Sequence, residues 1–348
     1  MKHFSEKYLL AALLLGFVIS SAACTEPNPH IDACVSNSEC PNDGVCGTDG
    51  QCVIPDDPDA HEDPEDSEDP EDSENPENPD DAHGDRCSTP IISAAGLDND
   101  SGYVEALPGS TIQIKARETG FENVTYQWRF VDFPYAEEMP FLAPRLVTHA
   151  NGTADFKAEI LGTYTVEMIV KNADGATLCS GVSGEALIKT DDDIYVEMVW
   201  ETPSKTDQND GNAPDLELHY KHPSGIWAGL EPPLDIFWYV PTADWGIPGD
   251  SSDDPVMRRF VEDGPGPEAT YHTKADPLIY SVGIYSYDDK GFGPSYATVR
   301  VYLDGELADE VANIEMPRTN HFYEVLTIDA GQRTTQYLDN HYEDFLEM

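Results

Sequence analysis

The stretch GTYTVEMIVKNADGATLC, residues 162–179, has the pattern of a β-hairpin. Tyr164, Val166, Met168 and Val170 alternate with other residues, so an extended strand places all four on one face. The Asn-Ala-Asp-Gly segment that follows is rich in turn formers, and a second apolar run comes after it. Two strands joined by a tight turn, with one apolar face, predict part of a β-sandwich.

Strand patterns also precede this hairpin. In STIQIKARE, Ile112 and Ile114 share one face. The segment VTYQWRFV places three rings on one face: Tyr126, Trp128 and Phe130. Together these segments resemble a PKD-type immunoglobulin-like domain, in which a Gly-Thr-Tyr-Thr-Val strand precedes an Asp-Gly turn and a tryptophan lies on a central strand. The resemblance covers 87–189 and implies a β-sandwich that acts as a spacer or adhesion module.

A second region, 190–332, also reads as strands. Its DLELHYKH segment alternates from Asp215, and the runs 280–287 and 296–303 are long and apolar. Five motifs, W-x-T-P, DLELH, DWG, DGPGPE and GFGPSYATVRVYLDGEL, resemble a β-sandwich of unknown function that follows PKD-type domains in bacterial surface lipoproteins. The predicted fold class is therefore all-β, with two β-sandwiches in series, the second jelly-roll-like. The remainder, 333–348, is predicted to be a C-terminal tail.

The resemblance to that second sandwich implies a cation site that would take calcium. Carried over by position, its carboxylates are Asp215, Glu217, Asp263 and Glu268.

The sequence departs from the relatives just before DGPGPE, where they carry acidic residues and this chain has MRRFVE. Arg258 and Arg259 would oppose a bound cation by Coulomb repulsion. Arg258 could instead pair with Glu262 or a neighbouring acid and replace the metal as a structural tie.

Aromatic residues cluster in IWAGLEPPLDIFWYVPTADW, residues 226–245. One interpretation is a ligand surface for a sugar, with Trp227 and Trp245 as candidate platforms because they lie in loops rich in proline and glycine. The alternative is core packing, in which Phe237 and Tyr239 fill a core and Trp238 lies on the other face of the strand.

The N-terminus predicts export. Lys2 and Lys7 precede an apolar run and a small-residue segment, which is the pattern of a signal peptide over 1–23. Ser21, Ala22 and Ala23 before Cys24 resemble the lipobox of bacterial lipoproteins, although leucine is commoner than serine at the first position. The resemblance implies lipidation of Cys24 and an outer-membrane or cell-surface location; simple cleavage after Ala23 is the alternative.

The cysteines support an oxidising compartment. Seven are present, and six remain once Cys24 is set aside, an even number that suits disulfides. Four of them recur every six residues within a short module, 24–54, which favours two disulfides of open connectivity over a zinc site: Cys34, Cys40, Cys46 and Cys52. The remaining pair is Cys87 and Cys179.

The segment 55–86 contains 16 acidic residues and one basic residue. Such a chain cannot bury an apolar core, so it is predicted to be a disordered, extended tether; a weak calcium-binding segment is the alternative. It carries −15 of the net charge of −48, which leaves −33 for the rest. This charge argues against nucleic-acid partners.

Motifs for catalysis are absent from the sequence: there is no H-E-x-x-H, no G-x-S-x-G and no Walker loop. We therefore predict a lipid-anchored surface protein, not an enzyme, that displays a binding or adhesion module for a surface protein or polysaccharide. The alternatives are an envelope spacer without a ligand and a secreted hydrolase whose paired carboxylates meet only in space.

Overall fold

A computed structural model describes residues 45–46, 52–53, 87–94, 100–262, 264–343 and 345 of the chain. The chain divides into two compact units, Met1–Glu74 and Asn75–Met348. The predicted signal peptide, Cys24 and the acidic tether 55–86 lie outside the described residues. Over the described ranges, no helix combines the length and the apolar character that crossing a membrane requires.

Two short strands lie in the predicted disulfide module, β1 over Val45–Cys46 and β2 over Cys52–Val53. They pair antiparallel, and the register places Cys46 opposite Cys52. Cys34 and Cys40 lie outside the described residues, so the disulfides of this module stay a prediction.

The first β-sandwich occupies the beginning of the unit Asn75–Met348. The part of it that the structure describes has eight strands: β3 Ile91–Ala94, β4 Tyr103–Ala106, β5 Ser110–Lys115, β6 Thr125–Asp132, β7 Val147–Thr148, β8 Thr153–Ala158, β9 Gly162–Lys171 and β10 Thr177–Ile188. One sheet has the order β4-β10-β9-β6 and the other β3-β5-β8-β7. A single 3₁₀ turn, Pro140–Leu142, interrupts the connection from β6 to β7.

The hairpin predicted at 162–179 is confirmed as β9 and β10. The four predicted apolar side chains of β9 are buried, and they pack with the isoleucines of β5 and with Trp128. The turn is held by the Asn172 side chain, which accepts hydrogen bonds from the backbone N–H groups of Asp174 at 3.0 Å and Ala176 at 2.8 Å. Gly175 adopts a φ of +83°, which favours glycine at that position.

The disulfide between Cys87 and Cys179 ties the start of this sandwich to β10, with the two Cα atoms 5.7 Å apart. It closes a loop with a sequence separation of 92 residues. This is the pair that cysteine parity predicted.

The second β-sandwich follows directly. Its described strands number ten: β11 Ile194–Glu201, β12 Asp215–Lys221, β13 Asp235–Ile236, β14 Pro255–Arg259, β15 Glu268–His272, β16 Ile279–Asp288, β17 Ser295–Leu303, β18 Glu306–Met316, β19 Phe322–Asp329 and β20 Thr334–Tyr342. The sheets have the orders β14-β15-β11-β17-β18 and β13-β12-β16-β19-β20. All neighbours within them are antiparallel.

The core of the second sandwich lies between these two sheets. Leu216, Leu218 and Tyr220 of β12 belong to it, as the alternation in DLELHYKH predicts. Trp200 of β11 is fully buried there, and its indole N–H donates to the Pro214 carbonyl oxygen at 3.1 Å. The all-β fold class is therefore confirmed.

The chain end corrects the domain prediction. Residues predicted as a tail from 333 form β20, which pairs antiparallel with β19. Farther on, Phe345 is buried against Tyr285 and Phe322. The second sandwich therefore extends beyond 332, because this last strand completes a sheet.

The two sandwiches share a packed joint within the unit Asn75–Met348. Tyr195 and Tyr302 of the second sandwich belong to the core cluster of the first. Arg258 Nη1 and Arg259 Nη1 lie 3.4 and 3.2 Å from oxygens of the Glu159 carboxylate, which belongs to the first sandwich. Arg258 therefore pairs with an acid of the other sandwich, across the joint, and not with Glu262 at the predicted cation site.

Candidate functional site

Strand β12 has a second buried face, directed away from the core. Asp215, Glu217 and His219 alternate with the core residues along the strand, yet they are only 9%, 5% and 1% exposed. Rings from the segment after β12 and from the chain end cover His219: Phe237 stacks on it with ring centroids 4.7 Å apart, and Phe345 lies edge-on at 5.5 Å. Strand alternation predicted the direction of the three side chains but not their burial.

His219 forms a buried pair with Asp235. Its Nδ1 lies 2.8 Å from Asp235 Oδ2, and that oxygen also accepts the Ala228 N–H at 2.6 Å. His219 Nε2 has no hydrogen-bond partner among the described residues and lies 3.9 Å from Glu217 Oε2. The imidazole is thus held by Asp235 and lies beside the carboxylate row of β12.

Three of the four predicted cation ligands line one cavity of about 350 Å³: Asp215, Glu217 and Glu268. We call this space the acidic cavity. Asp263, the fourth predicted ligand, lies outside the described residues. The cavity lies where β12, on one sheet, approaches the start of β15, on the other.

Glu268 also closes an open sheet edge. Strand β13 pairs with β12 only at Tyr220 and Lys221, which leaves the earlier part of that edge without a strand. There the Glu268 carboxylate accepts the Leu218 N–H at 2.6 Å and, through its other oxygen, the Val261 N–H at 3.1 Å. Both oxygens of Glu268 are therefore engaged by the fold itself.

The carboxylates of Asp215 and Glu217 differ from that of Glu268 in their hydrogen bonding. Neither makes a hydrogen bond to any residue that the structure describes, although each is at least nine-tenths buried. Both residues line the cavity, so their carboxyl groups face a space that a ligand can enter.

The rim of the acidic cavity is aromatic and charged. Three rings line it and remain partly exposed: Trp238 at 37%, Phe260 at 46% and Tyr287 at 49%. Glu262, Asp288 and Lys290 also line it. With the three buried acids, the lining holds five carboxyl groups and one ammonium group, a formal charge of −4 when all are ionised.

Burial dominates the electrostatics of the cavity. It raises the pKa of Asp215 to about 7, with Lys290 lowering that pKa and Glu262 raising it. Burial and the neighbouring carboxyl group of Glu268 raise the pKa of Glu217 to about 9. Burial raises the pKa of Glu268 to about 8 in spite of its two backbone hydrogen bonds. A positive group in this cavity would lower all three pKa values, because it favours the ionised carboxylates.

The cation site implied by resemblance is thus brought together only in part. Within the described ranges, no three His, Cys, Asp or Glu side chains are arranged to hold a metal ion. The two arginines that were expected to oppose a bound cation do not line the cavity. Arg258 and Arg259 instead pair with Glu159 across the joint. Calcium therefore stays a proposal.

The two tryptophans predicted as ligand platforms differ in their positions. Trp245 is 4% exposed, stacks on Tyr220 and Tyr280, and donates its indole N–H to the Pro233 carbonyl oxygen at 2.9 Å. This core position corrects the ligand role predicted for Trp245. Trp227 is half-buried and packs on Phe322, with centroids 4.9 Å apart.

In the core interpretation of the same segment, Phe237 is buried as predicted, at 7% exposed, but on the outer face of β12 against His219; Tyr239 is 61% exposed, so its predicted core position is wrong. Sequence reasoning missed Trp238, Phe260 and Tyr287 as cavity residues. The available signal for Tyr287 was its place near the end of β16, where an aromatic residue is exposed. Nothing in the sequence links these three positions to one another.

Comparison with known proteins gives weak similarities. No protein-family model matches the chain, and no curated protein matches it either. Among solved structures, the Escherichia coli adhesin FdeC aligns at 11% identity and a TM-score of 0.16, covering 65% of this chain and 63% of that one. This chain thus spans less than two thirds of the FdeC structure.

Two further structures align at similar levels. One is from work on Dscam isoform specificity, with 12% identity, a TM-score of 0.18 and coverage of 71% and 70%. The other is from work on manganese lipoxygenase of Gaeumannomyces graminis and zonadhesin of Komagataella pastoris, with 11% identity, a TM-score of 0.21 and coverage of 74% and 99%. At such scores the similarities say nothing about function.

Proposed function

We propose that this chain is an exported, lipid-anchored surface protein whose second β-sandwich is a non-catalytic binding module. The first sandwich, of PKD type, acts as its support. The module takes a positively charged ligand in the acidic cavity. The observation that carries this proposal is the pair of buried carboxylates, Asp215 and Glu217, which lack hydrogen-bond partners among the described residues and line a space that reaches the surface.

The packing at the joint supports the role of a support domain. Arg258, Arg259 and Glu159 tie the two sandwiches together, and tyrosines of the second pack into the first. A fixed joint would present the cavity in a constant orientation to a partner. Anchoring through Cys24 and the extended tether would hold both sandwiches away from the membrane.

The test is calorimetric titration of the full-length protein, purified in detergent, with calcium chloride and with a lysine-containing peptide. At least one of them should bind saturably, and Glu217→Gln should weaken that binding about tenfold or more. Glu315→Gln is the matched control, because Glu315 is exposed on β18 and outside the cavity. If neither probe binds, the chain is better described as an envelope spacer.

The proposed lipid anchor at Cys24 is tested by a separate experiment. Mass spectrometry of the N-terminus of the protein purified from membranes should find a diacylglyceryl group on Cys24, and Cys24→Ser should release the protein into the soluble fraction. Unmodified Cys24 would refute the anchor and leave the binding proposal intact.

A further inference from the structure

The rim of the acidic cavity carries more apolar ring surface than an inorganic ion requires. Trp238 and Tyr287 lie with ring centroids 6.4 Å apart at an interplanar angle of 72°, and Phe260 lines the same space. Calcium is bound by six to eight oxygen atoms and gains nothing from rings. Exposed rings beside carboxylates are the surroundings that organic cations favour, because the ring face attracts positive charge.

The size of the cavity also favours an organic cation. A volume of about 350 Å³ falls in the range of pockets that hold small organic groups, and it far exceeds what one bare ion fills. Moreover, the described part of the chain offers no three ligand side chains arranged around one point. The space is therefore large enough for an extended organic group.

The buried end of the cavity calls for hydrogen-bond donors. The carboxylate oxygens of Asp215 and Glu217 accept no hydrogen bond from any described residue. An ammonium group offers three donors and a guanidinium group five, and neither can act as an acceptor. Either one would satisfy both carboxylates, while its aliphatic stem passed the rings at the rim.

The charge of the molecule favours a basic protein as the source of this group. The chain carries a net charge of −48, of which the cavity lining accounts for −4 when all its groups are ionised. Long-range attraction of this kind raises the rate at which basic partners associate.

We infer that the acidic cavity receives the side chain of a lysine or arginine from a partner protein, with the charged end at Asp215 and Glu217 and the stem against Trp238 and Tyr287. This inference rests on the proposed function and names its ligand class. It differs from the calcium site that the resemblance implies.

The experiment uses the full-length protein and five-residue alanine peptides that differ only at the central position, which is lysine, arginine or norleucine. Calcium chloride, in the absence of peptide, is the fourth probe. The lysine or the arginine peptide should bind saturably, and the norleucine peptide, which keeps the stem without the charge, should not. Added salt should weaken binding.

Two variants locate the binding. Glu217→Gln removes a carboxyl group that a bound cation would ionise, and Trp238→Leu removes a ring at the rim; each should weaken peptide binding about tenfold. Trp238 is partly exposed, so Trp238→Leu should fold even if Glu217→Gln does not. Binding can then be tested with Trp238→Leu alone. Glu315→Gln should bind as the wild type does.

The outcomes separate this inference from the proposed function. Saturable binding of calcium without binding of either cationic peptide would overturn the inference and leave a cation-binding module. Peptide binding that survives both Glu217→Gln and Trp238→Leu would also overturn it, because the site would lie elsewhere. No binding of any probe would overturn both.

Discussion

At the scale of single residues, the joint contains two buried tyrosines with opposite hydrogen-bond states. The Tyr164 hydroxyl donates to the Ile160 carbonyl oxygen at 3.0 Å and accepts the Ile160 N–H at 3.2 Å. The Tyr195 hydroxyl is fully buried and has no partner among the described residues. The same chemical change, loss of a hydroxyl, should therefore have different costs at the two positions.

We predict that Tyr164→Phe lowers the free energy of unfolding by about 1–2 kcal/mol, because it leaves the Ile160 backbone groups unpaired. Tyr195→Phe should leave that free energy unchanged or raise it slightly, since it removes a polar atom already buried without a partner. Urea unfolding of the full-length protein measures both. Equal losses in the two variants would show that the Tyr195 hydroxyl has a partner after all.

Two tryptophans of the segment 226–245 offer a second residue-scale prediction. Trp245→Leu should destabilise the second sandwich by about 2–4 kcal/mol, because it empties core volume between Tyr220 and Tyr280 and removes an indole hydrogen bond. Trp238→Leu should change stability by less than about 1 kcal/mol, as an exposed substitution does. Thermal unfolding distinguishes them, and a large loss from Trp238→Leu would mean that this ring supports the fold.

At the scale of elements, the open edge of β12 depends on a side chain from the other sheet. Glu268 accepts hydrogen bonds from Leu218 and Val261 through separate oxygens. Replacing it with glutamine keeps one acceptor oxygen and turns an NH₂ group toward the other backbone N–H. One buried donor would then lose its partner, at a cost of about 1–3 kcal/mol.

We therefore predict that Glu268→Gln speeds amide hydrogen exchange at Leu218 or Val261 by about tenfold or more, which corresponds to local opening of the edge. Hydrogen exchange with fragment separation reads both sites. Amides in the hairpin of β9 and β10 serve as internal references, since they lie in the other sandwich. Unchanged exchange at both amides would show that the edge is held by other contacts.

The same elements show how far a sequence can be read. The alternation in β9 and β12 predicted both strands and their core faces, because a strand places every second residue on the same side. It did not predict that the outer face of β12 is buried as well. That burial depends on Phe237, from a loop after the strand, and on Phe345, near the chain end.

The cavity illustrates a similar limit. Resemblance brought Asp215, Glu217 and Glu268 together correctly, but the rings of Trp238 and Tyr287 were not part of any motif. Their contribution depends on where a loop and the end of β16 lie in space, and local patterns do not encode such distances.

At the scale of the whole molecule, the joint between the sandwiches contains a buried acid. Glu197 of β11 is fully buried; one of its oxygens accepts the Leu161 N–H at 3.0 Å, and the other has no partner among the described residues. Burial raises its pKa from 4.5 to about 7, against the lowering effects of that hydrogen bond and of two arginines. The groups that interact with it electrostatically are Tyr135, Tyr164, Tyr195, Tyr302, Arg258 and Arg300.

This raised pKa predicts how the joint responds to pH. Between about pH 4.5 and 7 the folded protein keeps a proton on Glu197 that the unfolded chain releases. The free energy of unfolding contributed by this group is therefore fully present below pH 4.5 and falls as pH rises to 7, by at most about 3 kcal/mol. Glu197→Gln, which cannot ionise, should lose less stability over this range than the wild type.

The measurement is the free energy of unfolding at several pH values from 4.5 to 8, for the wild type, Glu197→Gln and the control Glu315→Gln. The wild-type and control curves should fall together, and the Glu197→Gln curve should fall less steeply without becoming flat. Some slope must remain, because Asp215, Glu217 and Glu268 also have raised pKa values and lose stability in the same direction. If the Glu197→Gln curve runs parallel to the wild-type curve, Glu197 is already ionised in the folded joint, and the two sandwiches must be held together with that charge in place.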